Sequence, residues 1–150
     1  MNDTLLWQVR AFVYKHFADA TYPPSVDISA QHFNISKDEA SELYKELNNR
    51  HAFFLEPQTL TIRMANPFSG IPTDFKVHAN GKTYFANCAW DMLGIPIVLH
   101  CDAVIEAVFT ESNDANAVQL EVRDGKVTNS ELLIHFPLPF ARWYDDLVFT

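Results

Sequence analysis

The sequence predicts an α+β fold in which a helical N-terminal part precedes a mixed or antiparallel β-sheet. Apolar residues recur at helical spacing through roughly the first third of the chain. In the second half they fall in short strand-like runs, and two of these runs are followed by Asn-Gly and Asp-Gly pairs, which are typical of tight hairpins. Helices followed by strands indicate the α+β class.

Three helices are predicted first. The first covers about residues 3–18, and Thr21–Pro24 breaks it. The second is short, and the third begins after Ser36, because Ser36 with Glu39 three residues later forms a capping box. The apolar residues of the three stripes are Leu5, Leu6, Val9, Phe12, Val13 and Phe17, then Val26, Ile28, Ala30 and Phe33, then Ala40, Leu43 and Leu47.

Two short strands around a turn, at 52–55 and 60–64, follow the third helix. Three helices and a two-stranded wing predict a winged helix-turn-helix-like module over residues 1–65. A turn-rich segment, 66–72, is expected to link it to a second domain over residues 66–150. A winged helix raises the hypothesis of a DNA-reading regulator. However, the third helix carries two lysines and four carboxylates, which argues against a nucleic-acid partner.

The second domain is predicted to consist mostly of strands with one short helix. The helix is expected at Ala89–Leu93, with Gly94 as its stop and Pro96 beyond it. The predicted strands are 75–78 and 83–86 around Asn80-Gly81, then 102–109, then 117–123 and 126–127 around Asp124-Gly125, and finally 132–136.

The composition excludes several classes of protein. Eleven basic and 19 acidic residues give a formal net charge of −8, which is unsuited to nucleic acid. No apolar run is long enough to span a membrane, and no secretory signal opens the chain, so a cytoplasmic location is expected. Two cysteines make no disulfide scaffold, and four glycines are too few for a phosphate loop. No cofactor is expected.

Cys88 and Asp91 are the residues most suited to chemistry. Cys88 falls where a strand ends and a helix begins, and unpaired N–H groups there are expected to lower the thiol pKa. Asp91 lies three residues on, so the two side chains share one helix face. A carboxylate beside a thiolate makes sense where a proton passes between them. The alternative is a buried structural cysteine with Asp91 capping the helix.

The apolar surroundings of the pair predict where it lies. The segment from Phe85 to Ile95 is too apolar to face water, so both side chains are expected in one pocket walled by aromatic residues, with Asp91 partly buried. Cys101 is a weaker metal-ligand candidate, in the row His100-Cys101-Asp102. Neighbours on a strand point to opposite faces, so these three cannot all bind one ion.

The segment Tyr84-Phe85-Ala86-Asn87-Cys88-Ala89-Trp90-Asp91-Met92-Leu93-Gly94-Ile95-Pro96 resembles the catalytic segment of organomercurial (alkylmercury) lyases. The frame around it is similar too, with a winged-helix-like module before it and His135-Phe136, Pro139 and Trp143 after it. The resemblance implies that Cys88 and Asp91 are catalytic, with a thiolate that attacks mercury and an aspartate that manages the proton for the leaving carbon. Mercury is soft and prefers thiolate sulfur.

The chain departs from that family at the second catalytic cysteine. In the family this residue lies just before the His-Phe pair, where this chain reads Ser130-Glu131-Leu132-Leu133-Ile134 without a cysteine. The expected partner is an organomercurial or a soft metal ion bound through Cys88, with Phe85, Trp90 and His135 as candidate substrate-binding residues. Two functions stay open: an organomercurial lyase, and a non-catalytic module of the same fold that binds a soft metal or a small apolar ligand.

Overall fold

The computed structural model describes residues 3–108, 117–128, 131–136 and 138–143 of the chain. The described part contains four α-helices and two antiparallel sheets, which confirms the α+β class. The helices are α1 (Asp3–Ala20), α2 (Val26–Phe33), α3 (Lys37–Asn49) and α4 (Ala89–Leu99), and a 3-10 turn covers Phe140–Arg142. The strands are β1 (Phe54–Leu55), β2 (Ile62–Ala65), β3 (Phe68–Ser69), β4 (Lys76–Ala79), β5 (Lys82–Phe85), β6 (Ala103–Val108), β7 (Ala117–Arg123) and β8 (Lys126–Thr128).

The three N-terminal helices form where the periodicity predicts them. Ser36 caps α3, because its hydroxyl oxygen accepts a hydrogen bond of 3.1 Å from the Glu39 amide. Three basic side chains of α3 and its C-cap pair with carboxylates. Lys37 pairs with Asp27, Lys45 with Glu42, and Arg50 with Glu46. The winged helix-turn-helix assignment stays a prediction.

The smaller sheet has the order β1-β2-β3, and its third strand was not predicted. β3 lies inside the segment that the sequence analysis takes for a linker, so part of that segment is ordered sheet. Gly70 follows β3 and approaches β2 so closely that a Cβ there would lie 2.0 Å from the Ile62 carbonyl oxygen. The hairpin therefore requires glycine at this position.

The larger sheet has the order β5-β4-β6-β7-β8, and every pair is antiparallel. Both predicted hairpins are confirmed. Asn80 and Gly81 have φ values of 52° and 72°, and Asp124 and Gly125 have 48° and 71°. Positive φ at both central residues is the signature of the type I′ turn, whose twist matches that of the flanking strands.

The predicted last strand, 132–136, is wrong. Residues 131–136 have no regular secondary structure, β8 ends the order of the described sheet, and Leu133 is 94% exposed. An alternating pattern forms a strand only where a neighbouring strand pairs with it. The predicted end of the strand at 102–109, Phe109, lies outside the described residues.

The helix that carries Cys88 and Asp91 is longer than predicted. α4 continues through Gly94 and Pro96 to Leu99. The C-cap residue His100 has φ 50°, and its amide donates to the carbonyls of Ile97 and Pro96. Ile95 is fully buried and Pro96 is buried too. Burial against the sheet stabilises the helix more than the two helix breakers destabilise it. A Cβ at Gly94 would lie 3.1 Å from Pro67, so glycine allows α4 to approach the β2–β3 segment.

One hydrophobic core runs from the helices to the larger sheet. Its cluster of buried residues extends from Leu6 of α1 to Val122 of β7. Phe68 stands between the two parts, with its ring stacked on Phe17 at 5.3 Å between centroids and 5.8 Å from the Tyr84 ring. The division at residue 65 stays a prediction, and the core is continuous across it.

Among the described residues, no helix is long and apolar enough to cross a membrane.

Candidate functional site

The N-terminus of α4 brings Cys88 and Asp91 together. Cys88 is the N-cap residue, in extended conformation, and Asp91 lies in the first turn. Both side chains are half-buried. The two groups are close enough that the negative charge of Asp91 raises the pKa of the Cys88 thiol. Asp91 is partly buried, as expected.

The pKa of the Cys88 thiol is raised, where the sequence analysis expects it to be lowered. Burial is the largest cause, and the negative charge of Asp91 is the second. The backbone amides of Asp91 and Trp90 act in the opposite direction, as expected of a helix N-terminus, but they are outweighed. The pKa of Asp91 is raised by burial, while the hydrogen bond from Asn87 and the nearby Cys88 thiol oppose that shift. Both groups therefore favour their protonated forms more than exposed side chains do.

The raised thiol pKa gives a testable pH dependence. With Cys101→Ser as the background, so that a single thiol remains, alkylation of Cys88 by iodoacetamide is expected to rise with pH through an apparent pKa above the ordinary value of cysteine. Thiolate is the reacting form, so the rate at neutral pH should be low. Asp91→Asn removes the nearby negative charge and should lower this apparent pKa. A value below that of free cysteine in the parent protein would contradict the burial argument.

An apolar groove of about 480 Å³ lies beside Asp91. Asp91 and Trp90 line it from α4, together with aliphatic residues of α4 and of the β7–β8 hairpin. The lining residues are Asn66, Pro67, Trp90, Asp91, Leu93, Gly94, Ile97, Val98, Val122, Gly125 and Val127. Two of its apolar side chains are well exposed, Ile97 at 63% and Trp90 at 55%. The groove is therefore an open apolar surface with one carboxylate at its edge.

The predicted pocket is only partly present, because Cys88 is not among the residues that line the groove and the aromatic wall is incomplete. Trp90 is the one aromatic residue among those that line the groove, and the rest of the apolar lining is aliphatic. Phe85 ends β5 and His135 is exposed on the irregular segment 131–136, and neither lines the groove. Phe136 is an aromatic neighbour of Trp90 that was not predicted. Its ring centroid lies 5.9 Å from that of Trp90 and 5.5 Å from that of Trp143.

Cys101 lies at the other end of α4 from Cys88. Its amide donates to the Pro96 carbonyl, just beyond the last residue of the helix. Eleven residues of α-helix span about 16 Å at roughly 1.5 Å per residue. Two sulfurs that bind one linear Hg²⁺ must be on the order of 4–5 Å apart. Cys101 is therefore not the second ligand of an ion held by Cys88 of the same chain.

Asn87 is a site residue to which the sequence pattern assigned no role. Its Nδ2 atom lies 3.0 Å from Asp91 Oδ2, 3.0 Å from Asn66 Oδ1 and 3.2 Å from the Phe68 carbonyl oxygen. Its position beside Cys88 was the available signal, but the contacts to residues 66 and 68 depend on tertiary structure.

Among the described residues, no cluster of three or more His, Cys, Asp or Glu side chains could hold a metal ion.

Taken together, the fold and the site define an α+β protein with a thiol–carboxylate pair at the start of a helix, beside an apolar groove. Residues 68–149, more than half of the chain, match the family model described as alkylmercury lyase. The chain belongs to the alkylmercury lyase family.

A solved structure, the crystal structure of the mercury-bound form of MerB2, is similar to this one. The TM-score is 0.63 and the sequences are 21% identical, over 86% of this chain and 64% of that chain. This similarity shows a shared fold, and the match spans somewhat less than two thirds of that protein's length. No curated protein gives a significant match to the chain.

Proposed function

We propose that this chain cleaves the carbon–mercury bond of organomercurials by protonolysis, with Cys88 as the mercury ligand and Asp91 as the proton carrier. The observation that carries the proposal is the position of Asp91 in the first turn of the helix whose N-cap residue is Cys88, where its negative charge acts on the thiol. A nucleophile and a proton acceptor lie near each other at the start of one helix, and Asp91 lines a groove that suits an organic group. Membership of the alkylmercury lyase family supports it.

In the first step the Cys88 sulfur binds mercury. The thiol proton passes to the Asp91 carboxylate, and the sulfur displaces the anionic ligand opposite the carbon. Mercury is soft, so a thiolate competes well for it. The raised thiol pKa means that little thiolate exists before the substrate arrives. The adjacent carboxylate then takes up the proton as the sulfur–mercury bond forms, with no need for a water molecule to carry it.

In the second step Asp91 protonates the carbon. The electron pair of the carbon–mercury bond becomes the new carbon–hydrogen bond, and mercury stays in the +2 state on Cys88. Asp91 returns to its ionised form, and the hydrocarbon leaves. Burial raises the pKa of Asp91, so the carboxyl retains the proton until the carbon takes it. Overall, the proton of the Cys88 thiol ends on the leaving carbon.

A small-molecule thiol is the co-substrate in this scheme. The chain has two cysteines, and Cys101 lies at the far end of α4 from Cys88. A second thiolate on mercury, which weakens the carbon–mercury bond, therefore comes from solution. The same thiol carries Hg²⁺ away from Cys88 after cleavage by ligand exchange.

The groove beside Asp91 accommodates the organic substituent in this proposal. Trp90, Ile97 and Val98 present apolar surface there, and Asp91 is among the lining residues. An alkyl or aryl group that buries this surface gains about 25 cal/mol for each Å² removed from water. The carbon bonded to mercury would then lie next to the carboxyl group that protonates it.

The test is hydrocarbon release. The folded protein is incubated with phenylmercuric acetate and an excess of a small thiol, and benzene is measured by gas chromatography alongside released Hg²⁺. Benzene above the thiol-only control is expected from the parent protein and from Cys101→Ser, and none is expected from Cys88→Ser. Absence of benzene above that control, with a folded parent protein, contradicts the proposal.

A second candidate function is binding without turnover. The observation that favours it is the single thiol at the start of α4, with the other cysteine at the opposite end of that helix. In that case the chain binds a soft metal ion or a small apolar ligand through Cys88. Titration with Hg²⁺ should then show one site that Cys88→Ser removes and Cys101→Ser retains, while the benzene assay stays at the control level.

A further inference from the structure

Asn87 joins α4 to a separate part of the chain. It lies between the end of β5 and the start of α4, next to the N-cap residue Cys88. Its Nδ2 atom is within hydrogen-bond distance of Asp91 Oδ2, at 3.0 Å, and of Asn66 Oδ1, also at 3.0 Å. The Phe68 carbonyl oxygen lies 3.2 Å from the same atom. One amide nitrogen therefore faces three acceptors.

The amide of Asn87 has one workable orientation. If Oδ1 of Asn87 faced these three acceptors instead, it would have no proton to donate to them. The amide nitrogen, which carries two protons, must therefore point at the acceptors. In this orientation Oδ1 is buried, and it has no hydrogen-bond partner among the described residues. A buried acceptor without a partner destabilises the fold. The charged Asp91 oxygen is the strongest of the three acceptors and offsets part of that cost.

Of the two acceptors other than Asp91, the Phe68 carbonyl is fixed by the core, whereas the Asn66 side chain is exposed and follows its buried neighbour Pro67. Phe68 is 1% exposed and packs against Phe17 of α1 and Tyr84 of β5. Pro67 is buried and contacts α4 at Gly94. The segment 66–68 is thus held on both sides. A side chain tied to this segment and to Asp91 holds the carboxylate in place relative to the core.

We infer that Asn87 is a positioning residue that fixes the Asp91 carboxylate against the Cys88 thiol and the groove through its contacts with Asn66 and Phe68. The inference rests on the proposed function, because the task it assigns to Asn87 is to aim the proton carrier. Asn87 touches neither the mercury nor the carbon in that scheme. Small displacements of a proton donor lower the rate strongly, since the proton must travel along a short hydrogen bond.

The expected result of Asn87→Ala is a loss of turnover without a loss of binding. In the benzene assay kcat should fall by about 10–100-fold, as is typical when a group that orients a functional side chain is removed. KM and the stoichiometry of Hg²⁺ on Cys88 should stay within about twofold of the parent values. Asn87→Gln retains an amide donor and should recover part of the lost kcat. Asn48→Ala is the matched control, because Asn48 accepts a hydrogen bond from the Leu55 amide away from the site.

A spectroscopic measurement separates this inference from the lyase activity itself. In ¹⁵N-labelled protein the side-chain NH₂ resonances of Asn87 should lie away from the positions of solvent-exposed amides. These resonances should shift in Asp91→Asn and in Asn66→Ala, and they should not shift in Asn48→Ala. Asn66 is exposed, so Asn66→Ala is expected to fold. Asn87 resonances at exposed-amide positions that ignore both changes would overturn the inference, whether or not benzene is released. A kcat in folded Asn87→Ala equal to that of Asn48→Ala would also overturn it.

Discussion

Asp91→Asn is expected to lower kcat for carbon–mercury cleavage by about 10²–10⁴-fold, the range typical of a general acid or base. The amide has nearly the same shape but cannot take the thiol proton or deliver it to carbon. Mercury binding at Cys88 should persist, because the sulfur is unchanged and the neighbouring negative charge that raises its pKa is gone. The measurement is benzene release, combined with Hg²⁺ stoichiometry on the same sample.

The matched control for this variant is Asp19→Asn, which alters an exposed carboxylate that pairs with Lys15 on α1 and does not line the groove. It should leave kcat within about twofold of the parent value. If Asp91→Asn keeps the parent rate of benzene release, the proton reaches the carbon by another route and Asp91 is not its carrier. If both mercury binding and turnover disappear in a folded Asp91→Asn sample, the separation of the two roles is wrong.

Phe68→Ala is expected to lower the free energy of unfolding by about 3–5 kcal/mol, the usual range for deleting a buried aromatic side chain. Phe68 is 1% exposed and lies between the rings of Phe17 and Tyr84. Its removal leaves a cavity where the helices meet the larger sheet. For a chain of this size the melting temperature should fall by roughly 2–4 °C per kcal/mol.

Leu133→Ala is the control for this stability measurement, because that side chain is 94% exposed. Its effect should be within about 0.5 kcal/mol. Chemical denaturation followed by tryptophan fluorescence measures both variants. A loss below about 1 kcal/mol for Phe68→Ala would mean that the helices and the larger sheet do not depend on this contact.

The described structure shows which features local sequence chemistry predicted correctly. The Asn80-Gly81 and Asp124-Gly125 turns form because Asn, Asp and Gly tolerate positive φ at low cost. Ser36 caps α3 because its hydroxyl reaches an amide three residues away. At the site, the i, i+3 spacing predicted that Asp91 lies near Cys88, and the negative charge of Asp91 does act on the thiol pKa. Each of these depends on residues close together in the chain.

The sequence by itself thus determined the helices, the hairpins and the thiol–carboxylate pair, because their causes lie within a few residues of each other. Only the tertiary structure decided the rest. Burial against the sheet carries α4 through Gly94 and Pro96, and desolvation raises the Cys88 pKa against the helix N-terminus. The length of α4 separates Cys101 from Cys88, and Asn87 meets Asn66 and Phe68 across about 20 residues of chain. Packing brings these groups together or keeps them apart, and packing depends on the whole chain.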